Sequence, residues 1–122
     1  NTLEINRYAN SKQVIKYEES SRYVPEGQQN FIVIMSFGYR TDEIILKSIY
    51  GRKFKYIGMM GSEEKIRKMK ESLMKEGYSQ KYFDSIHAPI GIDIKSETAH
   101  EIAVSVAAQL IAAKNSYIAD QI

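Results

Sequence analysis

The stretch YIGMMGSEEK, residues 56–65, holds the first arrangement able to do chemistry. An apolar run meets Gly58, a second glycine follows at Gly61, and Ser62 opens a run of charged helix formers. A strand that turns into a helix in this way leaves backbone N–H groups pointing outward at a positive dipole end, where anions such as phosphate bind. Gly58, Gly61 and Ser62 would form the cradle, and Lys65 would add a cation. Glu63 and Glu64 share that first turn and oppose an anion, since helical side chains tilt toward the N-terminus. The same residues read equally as a tight turn with Ser62 as N-cap.

His87 stands before Ala88-Pro89, a position biased to extended backbone. An imidazole titrating near neutrality can donate to a ligand oxygen or move a proton; it can also simply bond the backbone. Asp93, between Ile92 and Ile94, could hold a ligand hydroxyl, with loop capping the expected role. Arg40, beside Tyr39, could pair with an anionic ligand or lie exposed in its loop. His87 and His100 lack a supporting cluster and do not make a metal site.

Elements must position these groups. Gln13–Tyr17 is a weak strand candidate, and Pro25-Glu26-Gly27 is a turn. Phe31–Met35 (FIVIM) is a continuous apolar run, typical of a strand buried on both faces. Asp42–Tyr50 reads as a short helix with Thr41 as N-cap, ended by Gly51. Phe54–Met59 is the next strand. The following helix, Ser62–Glu76, places Ile66, Met69 and Leu73 on one face and closes at Gly77. Gln80–Ile86 supplies a further helical turn, and Ile90–Ile94 a short strand or extended segment. The last helix, Thr98–Lys114, opens with a capping box from Thr98 to Glu101.

This alternation predicts one α/β domain with a parallel sheet, in which Phe31–Met35 and Phe54–Met59 are adjacent. Ligands in such sheets sit at the carboxyl ends of the strands. The stretches 36–41, 60–62 and 87–89 should gather there. No G-x-G-x-x-G is present, so a Rossmann-like fold would lack its opening βαβ unit. A net charge of +2 gives no footing for nucleic acid, and no apolar stretch reaches membrane-spanning length. The absence of cysteine excludes disulfides and thiolate metal sites and allows a cytoplasmic home, the expected location. No signal peptide is visible, and Asn1 in place of methionine leaves room for an upstream segment.

YIGMMGSEEK followed by HAPIGIDIKSETAHEIAVSVAAQLIAAK resembles the C-terminal domain of the xanthine dehydrogenase accessory (XdhC/CoxI) family, from about Phe31 to Lys114. That family carries a GMIGS-type turn, an H-A-P-I-G-L-D-I block and a helix reading E-I-A-V-S-I. The resemblance implies a Rossmann-like domain in a protein that binds molybdenum cofactor. Such proteins assist its sulfuration and insertion into molybdenum hydroxylases such as xanthine dehydrogenase, and act as chaperones more than enzymes. A cysteine desulfurase is a further implied partner. The implied ligand residues are Gly58, Gly61, Ser62, Lys65, His87, Asp93, Arg40 and Asp42. The family's T-H-x-x-x-D after the FIVIM-type strand is here Ser36 to Asp42, where the histidine is gone and Asp42 fits. Its basic residues after the GS turn are replaced by Glu63 and Glu64, and its cofactor-linked cysteine lies in another domain. Two alternatives stay open: an NAD(P)-binding oxidoreductase domain without its first half, and an interaction module with no small-molecule ligand.

In the last helix Ile102, Ala103, Val104, Val106, Ala107, Leu110 and Ile111 cover most of the circumference, leaving Glu101, Ser105 and Gln109 as a polar stripe. One sheet cannot cover so much apolar surface. The helix therefore predicts a homodimer, or association with an N-terminal segment.

Overall fold

The computed structural model describes residues 7–121, with side chains as far as 116. After a 3-10 turn at Tyr17–Glu19 and the short α1 (Ser20–Tyr23), β1 (Gly27–Ile34) leads through α2 (Tyr39–Ser48) to β2 (Phe54–Met59). The two strands pair in parallel, with Phe31 opposite Tyr56 and Ile34 opposite Met59. They are followed by α3 (Glu63–Lys75), α4 (Gln80–Asp84) and the long α5 (Ala99–Gln121). Between α4 and α5 the chain returns alongside β2. His87 N–H donates to the Ile57 carbonyl at 2.9 Å, Met59 N–H to the His87 carbonyl at 3.0 Å, and Ile90 N–H to the Met59 carbonyl at 2.9 Å. A parallel bridge joins Gly58 and His87. The sheet thus gains a third parallel track.

Alternation along the strands sends Ile34, Ile57 and Met59 to one face. There they meet Leu46 and Ile49 from the α2 region, Met69 and Leu73 from α3, and Phe83 and Ile86. Leu46 and Ile49 are completely buried, and each such side chain contributes about 1.5–3 kcal/mol. The face of α3 is the predicted one. Tyr50, Tyr78 and Tyr82 close the edge of this core with ring centroids 4.7 Å apart in both edge-to-face pairs. Burial, with the neighbouring Tyr50 and Tyr78, pushes the Tyr82 phenol far up, and its neutral hydroxyl donates to the Leu46 carbonyl at 3.2 Å.

Several expectations are corrected. Gln13–Tyr17 is no strand: its side chains lie mostly exposed and nothing pairs with it before the turn at Tyr17. The first strand begins at Gly27 and stops at Ile34, one residue short of Met35. FIVIM is buried on one face only, since Phe31, Val33 and Met35 are 37, 38 and 67% exposed. All of α2, α3 and α4 pack on the other side. Gly38, not Thr41, is the N-cap of α2, which starts a turn earlier than predicted; Thr41 Oγ1 reaches back to the Gly38 carbonyl at 2.9 Å. Ile90–Ile94 forms no strand, because its pairing is confined to 87–90 and Gly91, at φ +102°, turns the chain away.

The last helix holds the largest surprise. Its capping box forms as predicted: Glu101 N–H donates to Thr98 Oγ1 at 3.1 Å and Thr98 N–H to the Glu101 carboxylate at 3.1 Å. Its polar stripe, however, turns inward. Ser105 is buried, and Gln109 clasps Gly91, its Oε1 accepting from the Gly91 N–H at 3.0 Å and its Nε2 donating to the Gly91 carbonyl at 3.3 Å. The approach is close: a Cβ on Gly91 would lie 2.5 Å from Ser105 Oγ. Val104 and Ile111 consequently face outward, 62 and 57% exposed.

Candidate functional site

Three parallel tracks bring the turns after Ile34, after Met59 and around His87 to the same end of the sheet, as topology requires. Met60 N–H donates to the Ile34 carbonyl at 3.1 Å and holds the first two turns together. The predicted residues nevertheless divide into separate groups there.

On the α2 and α3 side, Asp42 is buried. Its Oδ1 accepts from the Ser36 N–H at 3.2 Å and from the Ser36 hydroxyl, which also meets Thr41 Oγ1. This carboxylate fastens the β1–α2 turn. Arg40 is exposed, its guanidinium 6.0 Å from the Tyr39 ring. Ser62 caps α3, its Oγ accepting from the Lys65 N–H at 3.3 Å. Gly61 adopts φ +153° ahead of it, and the Lys65 side chain is exposed.

On the opposite face, Gly58 is buried beneath the Tyr56 ring. A Cβ there would lie 2.5 Å from the Tyr56 hydroxyl and 2.6 Å from Ile90 Cδ1. Glycine is required at this position by packing. His87 stacks on Tyr56, with ring centroids 4.6 Å apart and planes 14° apart. Tyr56 stacks in turn on Phe31 at 5.9 Å. One row of rings therefore crosses all three tracks. Burial raises the Tyr56 phenol's pKa and keeps it protonated, and its hydroxyl donates to Gln109 Oε1 at 2.5 Å. The exposed His87 imidazole forms no hydrogen bond or ion pair among the described residues. Its ring nitrogens can still donate or accept.

Asp93 belongs to neither group. It is exposed and holds its own loop, accepting from the Lys95 N–H at 3.3 Å and from Lys95 Nζ at 3.4 Å, contacts that lower its pKa. Lys95 takes φ 56° in that loop.

The glycine turn is crowded on one side and has acidic neighbours on the other. The space beside Gly58 is filled by Tyr56 and Ile90, the Ser62 hydroxyl is engaged in its cap, and Glu63 and Glu64 flank the helix end. No group of three or more His, Cys, Asp or Glu among the described residues could hold a metal ion. Tyr56, Phe31 and Gln109 were not among the sequence candidates. Their signal was weak: aromatic residues on one strand face, and a glutamine in a stripe that reads as solvent-facing.

Residues 5–110 match the family described as XdhC Rossmann domain. The chain belongs to this family. The match begins well before Phe31 and takes in the stretch ahead of the first strand. A protein of Escherichia coli strain K12 named uncharacterized protein YqeB is 29% identical over 87 residues, covering 71% of this chain and 16% of that protein. A Bacillus subtilis strain 168 protein, named as a probable xanthine dehydrogenase subunit, is 29% identical over 79 residues, 65% of this chain and 22% of that protein. A crystal structure of a xanthine dehydrogenase from Bacillus halodurans superposes with a TM-score of 0.65 and 27% identity, over 84% of this chain and 29% of that one. The XdhC-type chain thus spans less than a third of each of these proteins, and its parallel α/β architecture is shared with the last. No helix among its described residues is long and apolar enough to cross a membrane.

Proposed function

We propose that this domain serves a xanthine dehydrogenase system as an accessory protein, acting in the maturation of a molybdenum hydroxylase client and not as the catalyst. The match over residues 5–110 to the XdhC Rossmann domain carries this reading. The names of the Bacillus relatives support it. Molybdenum cofactor is the cargo it would help to deliver, with a cysteine desulfurase as the source of sulfur; NAD(P) is the alternative ligand. The test is a strain lacking the chain. Its xanthine dehydrogenase should accumulate with little activity and a reduced cofactor content, both restored by resupplying the chain. Full activity in that strain would overturn the reading.

A second reading, docking to a protein partner, is favoured by the apolar surface on α5 and just past the end of β1, where Val104, Ile111 and Met35 are all more than half exposed. Apolar exposure costs about 25 cal/mol per Å². A homodimer would bury the same patch twice. Ala107 is exposed on that helix, and Ala107→Glu should convert a dimer to a monomer in light scattering. A parent chain that is already a stable monomer would sink the homodimer.

A further inference from the structure

At the amino end of the sheet, away from the gathered turns, lies a groove of about 820 Å³. That volume is within the roughly 300–1,000 Å³ of small-molecule sites. Arg52, Lys53, Lys55 and Lys114 line it, and no aspartate or glutamate does. In a chain of net charge +2, this is a pronounced local excess of one sign. Low-dielectric walls around such an excess focus the field on an anion.

Two features give the groove a defined shape. The Arg52 guanidinium is fixed at the rim: its Nη1 donates to the Ser21 carbonyl at 2.5 Å, and its Cζ lies 6.0 Å from the Phe54 ring centroid. Its remaining N–H donors are available for a bidentate contact. Phe31 also lines the groove, backed by Tyr56 and 37% exposed. Beside the groove, Glu26 accepts from the Lys53 backbone N–H at 2.9 Å, a bond that leaves the Lys53 side chain out of it.

We propose that this groove binds a planar aromatic ring carrying a phosphate group, with Phe31 stacking on the ring and Arg52, Lys53 and Lys114 pairing the phosphate. Purine nucleotides and larger fused-ring phosphates share that chemistry. The site stands apart from the accessory role, which it neither needs nor tests.

Calorimetry at low salt on the whole chain decides it, with adenosine monophosphate and flavin mononucleotide as probes and adenosine and inorganic phosphate as part-ligands. At least one probe should bind about tenfold or more tighter than both part-ligands, the size of step that about 1.4 kcal/mol produces. The one that binds identifies the ring class. Lys53→Glu/Lys114→Glu should lower that affinity about tenfold or more with an unmoved melting temperature; Lys53→Gln/Lys114→Gln replaces it if the double glutamate unfolds. Phe31→Ala should erase the advantage over inorganic phosphate. Neither probe outbinding phosphate, or undiminished binding in the lysine variants, would overturn the proposal. So would tighter binding in Glu63→Lys/Glu64→Lys, which would move the anion to the other end of the sheet.

Discussion

At the carboxyl end of the sheet Asp42 and Ser62 are taken up by the turns they fasten, whereas at the amino end Lys53 and Lys114 line an open groove. Asp42 holds Ser36, and Ser62 holds the Lys65 amide. Lys53 and Lys114 have no side-chain partner among the described residues. Topology points to the first end as the place for a ligand, and charge points to the second. A shared strand end, then, assembles residues without making them available. Availability has to be read from what each group already satisfies.

Asp42 is where this contrast is easiest to overturn. If its role is to fasten the turn, Asp42→Ala leaves the Ser36 N–H and hydroxyl without their acceptor. It should lower stability by about 2–3 kcal/mol in urea denaturation, since hydrogen bonds to charged groups count for more than neutral ones. Asp42→Asn keeps one acceptor oxygen and should lose less. A ligand-binding role would instead leave stability nearly unchanged.

Gly58→Ala comes next. Its Cβ must displace the Tyr56 hydroxyl and Ile90, a small-to-large change that costs about 1–3 kcal/mol. Tyr56 should then lose its bond to Gln109, visible as a shifted Gln109 side-chain amide in nuclear magnetic resonance. Ser62→Ala should cost about 1 kcal/mol as a lost cap, with no change in phosphate affinity.

The smallest effect is a pH dependence. Backbone N–H groups of Glu97 and Thr98 lower the Glu101 pKa. Its contribution is therefore complete above the ordinary glutamate pKa and is lost as pH falls through the lowered value. Acidification below about pH 4 should loosen the first turn of α5, seen as faster amide exchange at Glu97 and Thr98. Glu101→Gln should remove most of that pH response. Exchange rates independent of Glu101 ionisation would sink this prediction.

Periodicity made the strand–helix alternation, the Ser62 cap and the Thr98–Glu101 box legible, because each is local. What lay beyond reach was orientation. FIVIM is equally compatible with burial on one face or two, and only the placement of the helices decides. Ser105 and Gln109 look like a solvated stripe until Gly91 is seen to approach within contact of Ser105. The groove was half legible. Arg52 to Tyr56 reads RKFKY, cations interleaved with aromatic residues at the start of a strand, while Lys114 joins them only through the fold.

Gln109 attaches α5 to the sheet through directional bonds to Gly91 and Tyr56, while the helix's outward side is aliphatic. Cooling acts chiefly on the outward side, because apolar association weakens as temperature falls. A complex formed on the outward side should therefore loosen in the cold while α5 stays seated. Low temperature would separate partners without unfolding either of them, and the order of events on chilling would reveal which side of the helix carries the assembly.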